Sequence, residues 1–136
     1  DAMIYSIEAE ITAPVYDTEV TDRVADAISN IFPSAEPAYQ HGELTATVHD
    51  LEHFSDLLYR QEILDTARGV FFDSTRGDSI SFQLKKQAAF EGVVNFVVDD
   101  PGELGAIVVQ VRVEEPSVEE FVDHIAPATE DGRPVE

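Results

Sequence analysis

Apolar and polar positions alternate at the start of the chain. Met3, Tyr5, Ile7, Ala9 and Ile11 interleave with Ile4, Ser6, Glu8 and Glu10, a period of two that predicts a half-buried strand. Asp17 or Thr18 is placed to cap a helix whose Val20, Val24, Ala27, Ile28 and Ile31 share one face, with Pro33 and Pro37 closing it. ELTATVH at 43–49 alternates again through Leu44, Ala46 and Val48. Asp50 then serves as candidate N-cap for a helical stretch with Leu51, Phe54, Leu57 and Leu58 inward. Ile63, Leu64, Ala67, Val70 and Phe71 continue the same spacing, as one bent helix or as a second one.

Past the turn DSTRGD at 73–78, Ile80, Phe82 and Leu84 point one way and Ser79, Ser81, Gln83 and Lys85 the other, the pattern of a third strand. KQAAFEG is read as a helical turn ending at Gly92. VVNFVV and LGAIVVQVRV are expected to pair as two strands across a turn at Asp100-Pro101-Gly102. Ser117 and Glu120 form a capping box for a final helix burying Val118, Phe121, Val122 and Ile125, which Pro127 ends. The order β-α-β-α-β-β-β-α predicts an α+β fold, a mainly antiparallel sheet with helices packed on one face. Residues 1–127 are expected to form a single domain and 128–136 a polar, frayed C-terminal tail.

Composition narrows the class. The 136 residues are 43% hydrophobic, enough apolar material for one core. Runs such as GAIVV and GVVNFVV fall well short of the roughly 20 residues a helical bilayer span needs. No signal-peptide pattern follows Met3, and no membrane partner is expected. The chain has no cysteine, which excludes disulfides and thiolate metal sites and fits a cytoplasmic location. Its 28 acidic and 8 basic residues give a formal charge of −20. A disordered acidic chain would lack these core residues, so the carboxylates cover a folded surface. Such density fits life in molar salt, where a Debye length of about 3 Å screens their mutual repulsion.

The positive charge is not spread evenly. Residues 60–86 hold Arg60, Arg68, Arg76, Lys85 and Lys86 against Glu62, Asp65, Asp73 and Asp78, a local balance of +1 that leaves −21 for the remainder. Both lysines of the chain stand side by side there. Ordinary charge neutralisation accounts for such a run, and so does a site for a polyanion.

Motifs for chemistry are sparse. HDLEH at 49–53 has the order of one class of zinc peptidase, with His49, Glu52 and His53 as a candidate hydrolase group and His41 nearby. An N-cap at Asp50 would put His49 outside the helix and remove the shared face. RGD at 76–78 reads as turn chemistry. No phosphate-binding glycine loop and no nucleophile elbow occurs, so the expectation is a protein that is not an enzyme and uses no metal or cofactor.

ISNIFPSAE at 28–36, RQEILDTAR at 60–68, FQLKKQAAFEGVVNF at 82–96, LGAIVVQV at 104–111 and IAPATEDGRP at 125–134 resemble, in order and over essentially the whole chain, the motifs of the archaeal uncharacterised protein family 0201. The resemblance implies a fold like that of ribosomal protein L five, which binds 5S rRNA, and a prediction of RNA binding. Arg60, Gln61, Arg68, Lys86 and Gln87 lie within these motifs. Lys85 takes a position where the family pattern usually has asparagine. On one continuous helix, Arg60 and Arg68 would differ by about 80° in direction and project from one side. Asp56 and Asp65 also stand at ion-pair spacing from them. The reading is a binding module for structured RNA, with the ribosome as a candidate partner. Arg60, Gln61, Arg68, Lys85, Lys86 and Gln87 supply the nucleic-acid contacts, and Ser81 and Gln83 add hydrogen bonds. The alternative is a protein-interaction module or homodimer using an exposed patch of Tyr59, Phe71, Phe72 and Phe90.

Overall fold

A computed structural model describes residues 4–100, 102–130 and 133–134. Met3 of the opening alternation, Pro101 of the expected turn and the remaining tail positions lie outside the described residues. The alternation at the start becomes β1 (Ser6–Pro14), with Ile7, Ala9, Ile11 and Ala13 buried and Glu8 and Glu10 on the opposite side. A short β2 (Ala38–Gln40) and β3 (Glu43–Val48) follow the first helix, and β4 (Ser79–Lys85) and β5 (Ala106–Glu115) complete an antiparallel sheet of order β2-β3-β1-β5-β4. The central strand is thus the first in sequence. Its apolar side is continued by Leu44, Ala46 and Val48 on β3 and by Val109, Val111 and Val113 on β5.

Among the described residues, five helices cover that side: α1 (Thr21–Ile31), α2 (Glu52–Arg60), α3 (Leu64–Asp73), α4 (Lys86–Ala89) and α5 (Val118–Ile125). The α+β class, antiparallel sheet and helical face match the sequence expectation. Phenylalanines join the layers. Phe54 of α2 stacks on Phe82 of β4 at 5.1 Å and 7°, and Phe71, Phe32 and Phe96 close around them with centroids 5.2 to 6.5 Å apart. Each fully buried ring contributes about 1.5–3 kcal/mol through removal of apolar surface from water.

Several boundaries differ from the reading. Val20, not Asp17 or Thr18, is the N-cap of α1, without a side-chain cap, and it is exposed instead of inward. Asp50 Oδ1 accepts the Glu52 N–H at 3.1 Å, but the N-cap itself is Leu51. The apolar run 51–71 is two helices, broken where Glu62 takes φ +60°. The segment 93–98 forms no ladder with β5, whose two edges are taken by β1 and β4. It lies instead along the outer edge of β4, joined by Lys85 N–H to Asn95 O at 2.8 Å and Val97 N–H to Gln83 O at 2.9 Å. Ser117 caps α5 as expected, accepting the Glu120 N–H at 3.1 Å. The C-terminal stretch, expected to fray, contains a small ladder of β6 (Thr129–Glu130) with β7 (Arg133–Pro134). Among the described residues, no helix is long and apolar enough to cross a membrane.

Candidate nucleic-acid interface

The six residues of the basic region do not form one surface. Lys86 is 1% exposed. Its ammonium donates to Pro14 O at 2.6 Å and to Glu19 Oε1 at 2.9 Å, and lies 5.2 Å from the Tyr16 ring centre. The expectation that Lys86 contacts nucleic acid is therefore corrected: a cation walled in by protein holds the β1–α1 connection and has no face for a phosphate. Gln61 is committed as well. Its amide donates to Val94 O and accepts the Val94 N–H, both at 2.9 Å, an imitation of strand pairing that leaves little for a ligand.

The arginines stand apart because the helix breaks between them. Arg60, 68% exposed at its side chain, pairs with Asp56 at 2.8 Å, the expected i,i+4 contact. Arg68 does not use Asp65. It bridges to α5, reaching Asp123 at 2.7 Å and Ala126 O at 3.1 Å while lying over the Phe72 ring at 4.9 Å. Asp65 instead accepts a hydrogen bond from the Thr129 hydroxyl. Lys85 and Gln87 remain exposed, and neither side chain has a protein partner among the described residues.

The sheet face away from the helices is open. Register places Ser79, Ser81, Gln83 and Lys85 of β4 beside Arg112, Gln110, Val108 and Ala106 of β5, in that order. Arg76, in the turn before β4, joins Arg112 in lining a groove of about 420 Å³ with Ser79, Ser81 and Gln110. The far wall is β1, where Glu8 opposes Arg112 and Glu10 opposes Gln110. Charge is uneven across the face, with Arg76, Lys85 and Arg112 on the β4–β5 half, where Glu114 is the nearby acid, and Glu8, Glu10 and Glu43 on the β1–β3 half. Arg112 has a single loose ionic contact, Glu114 at 3.5 Å, with both side chains about half exposed, so an anion can compete for its guanidinium. The hydroxyls, amides and guanidiniums here are the donors that hold phosphate oxygens.

Gln110, Arg112 and Arg76 were absent from the expected site. The alternation in VVQVRV does put Gln110 and Arg112 on the polar side, but pairing β5 with residues 93–98 hid their adjacency to Ser79 and Ser81. HDLEH does not assemble as a metal group. His49 follows directly on β3, with Nδ1 3.1 Å from Ile7 O, while His53 lines a different cavity with Pro33 and Ser34. No cluster of three or more metal-ligating side chains occurs among the described residues. The expected aromatic patch does not assemble either. Phe71 is fully buried, Phe72 and Phe90 lie under Arg68 and Arg23, and Tyr59 is exposed apart from them.

A family model described as RNA binding matches residues 8–114. A UPF0200/UPF0201 protein of Archaeoglobus fulgidus is 39% identical over 131 residues, which is 96% of this chain but 40% of that longer relative. A UPF0201 protein of Thermococcus kodakarensis is 38% identical over 95% of this chain and 96% of its own length. The crystal structure of a UPF0201 protein from Methanococcus jannaschii matches with a TM-score of 0.89 at 34% identity, covering 95% of this chain and 99% of that one.

Proposed function

Because the chain belongs to the archaeal UPF0201 family, we propose that it binds RNA, through the β4–β5 half of its open sheet face. Arg76, Lys85 and Arg112 take phosphates, and Ser79, Ser81, Gln83 and Gln110 add hydrogen bonds to sugar and phosphate oxygens. The observation that carries this reading is the row of donors on the β4–β5 half, Arg76, Lys85 and Arg112 among Ser79, Ser81, Gln83 and Gln110, on a sheet face that no described helix covers. The ribosomal-protein-L-five-like expectation supports structured RNA of the translation apparatus as the partner. The carboxylates elsewhere are an adaptation to molar salt, in which loose electrostatic attraction is screened and directional hydrogen bonds must supply the affinity.

The test is RNA binding at high salt by the parent and by Arg76→Ala, Lys85→Ala and Arg112→Ala, each shown to be folded. Loss of a charged hydrogen bond is worth about 1.5–3 kcal/mol, so each arginine variant should bind roughly tenfold or more weakly. Lys85→Ala should lose less, since an ammonium acts as a point charge. A parent that binds no RNA, or sheet-face variants that bind as the parent does, would refute the reading.

A further inference from the structure

The open sheet face has no platform on which a base can stack. Register and alternation place aliphatic, hydroxylated, amide and charged side chains on that face of the five strands, and no aromatic one among the described residues. Tyr39, exposed on β2, stands opposite the buried Leu44 and so belongs to the helix side. The groove bounded by Arg76 and Arg112 has no aromatic lining either. Sheets that read single-stranded RNA stack two or three splayed bases on aromatic side chains. A guanidinium can stack as well, but both guanidiniums of this face stand together at one end, beside Ser79.

What the face does offer is ordered along the strands. Arg76, bridged to Ser79, and Arg112, the ladder partner of Ser79, stand at one end of β4, and Lys85 stands at the other. From Ser79 to Lys85 the strand rises by about 20 Å, at about 3.3 Å per residue. Between the cations lie neutral groups that both donate and accept: Ser81 beside its partner Gln110, and Gln83, all three exposed. Cations at two ends with neutral donors between them match the wide, shallow minor groove of an A-form duplex. Two phosphate backbones bound that groove, and 2′-hydroxyls are displayed across it. B-form DNA presents a minor groove of only about 6 Å and lacks those hydroxyls. Glu8 and Glu10 on β1 repel phosphate and confine the duplex to the β4–β5 strip. Resting on the RNA-binding reading, we infer that this face takes double-helical RNA by its minor groove, without reading base sequence. Arg76 and Arg112 hold one backbone and Lys85 the other. Ser81, Gln83 and Gln110 exchange hydrogen bonds with the 2′-hydroxyls, which sets RNA apart from DNA.

The experiment titrates the protein, in the same high salt, with labelled duplexes of about 16 base pairs, the length that a double-stranded-RNA module spans. Four probes share one sequence: an RNA duplex, a DNA duplex, a 2′-O-methyl RNA duplex and the single RNA strand. The parent should bind the RNA duplex about tenfold or more tightly than the DNA duplex or the single strand, the yield of about two neutral hydrogen bonds. The methylated duplex keeps the A-form but loses its hydroxyl donors, and should fall toward the DNA level; this arm needs no variant. Replacing both Gln83 and Gln110 by Ala should bring RNA and DNA duplexes to within about twofold of each other by weakening the RNA duplex alone. Arg112→Ala should weaken both duplexes by the same factor, since both carry phosphates. A second RNA duplex of unrelated sequence should bind within about twofold of the first. A single strand bound as tightly as the duplex, a DNA or methylated duplex bound as tightly as RNA, or a marked sequence preference overturns the minor-groove site and leaves RNA binding standing. So does a parent that binds looped RNA and no duplex. No binding to any RNA removes both proposals.

Discussion

Lys85 and Lys86 have the same side chain and adjacent positions, yet one faces water and the other is sealed in the protein. Alternation along β4 turns Lys85 outward. Lys86 begins α4, which packs against α1 and carries the ammonium under the β1–α1 connection. Replacing Lys86 by Met should destabilise the fold by about 3–5 kcal/mol, because the Glu19 carboxylate would stay buried without its counter-charge; its Oε2 already lacks a partner. Adding Glu19→Leu should restore most of that loss, since an apolar pair of similar volume removes the uncompensated charge. Denaturant midpoints of the single and double variants check this, and a single variant as stable as the parent would refute the buried-pair account. Lys85→Ala should shift stability by no more than about 0.5 kcal/mol, as exposed substitutions do. The Lys86 partners, Pro14 and Glu19, lie 72 and 67 residues away, so local pattern gave no sign of them.

Among elements, the irregular segment 93–98 shows how a sheet edge is protected without another strand. Gln61, at the end of α2, holds Val94 by both backbone groups, while Lys85 N–H and Val97 N–H continue the pairing toward β4. Gln61→Ala leaves a half-buried N–H and C=O unpaired, at a cost of about 1–3 kcal/mol. The Val94 and Val97 amides should then exchange faster with solvent, and unchanged protection there would count against the clamp. The α2–α3 break has its own signature. A non-glycine residue in the left-handed region carries about 1–2 kcal/mol of strain, so Glu62→Gly should raise the melting temperature or leave it level despite glycine's entropic cost. A clear drop would mean that the Glu62 side chain contributes more than its backbone costs. The break was open in the sequence because apolar spacing runs unbroken through residues 51–71.

For the molecule as a whole, the charge of −20 sets the response to salt. Lowering the ionic strength from molar to about 0.1 M lengthens the Debye length from about 3 to about 10 Å and lets surface carboxylates repel one another. The unfolding midpoint should therefore fall on desalting; a midpoint that stays level or rises would contradict salt adaptation. The same change should strengthen RNA binding, because phosphate contacts release counterions. Stability and affinity moving in opposite directions with salt is a pattern that a merely destabilised protein would not give.

Periodicity alone determined the α+β class, the buried sides of β1, β3, β4 and β5, and the capped start of α5, because each depends on side chains spaced two, three or four residues apart. The resemblance of dispersed motifs reached the family. Which strands are neighbours, and hence that Arg112 stands beside Ser79 and His124 beside Glu52, was decided only by tertiary packing. A strand's alternation tells which side is wet, but not which strand it pairs with; that depends on the core, where Phe54, Phe71 and Phe82 draw α2, α3 and β4 together and leave β5 between β1 and β4. Burial of Lys86 is of the same kind: desolvating a charge needs partners from elsewhere in the chain, and only the folded molecule supplies them.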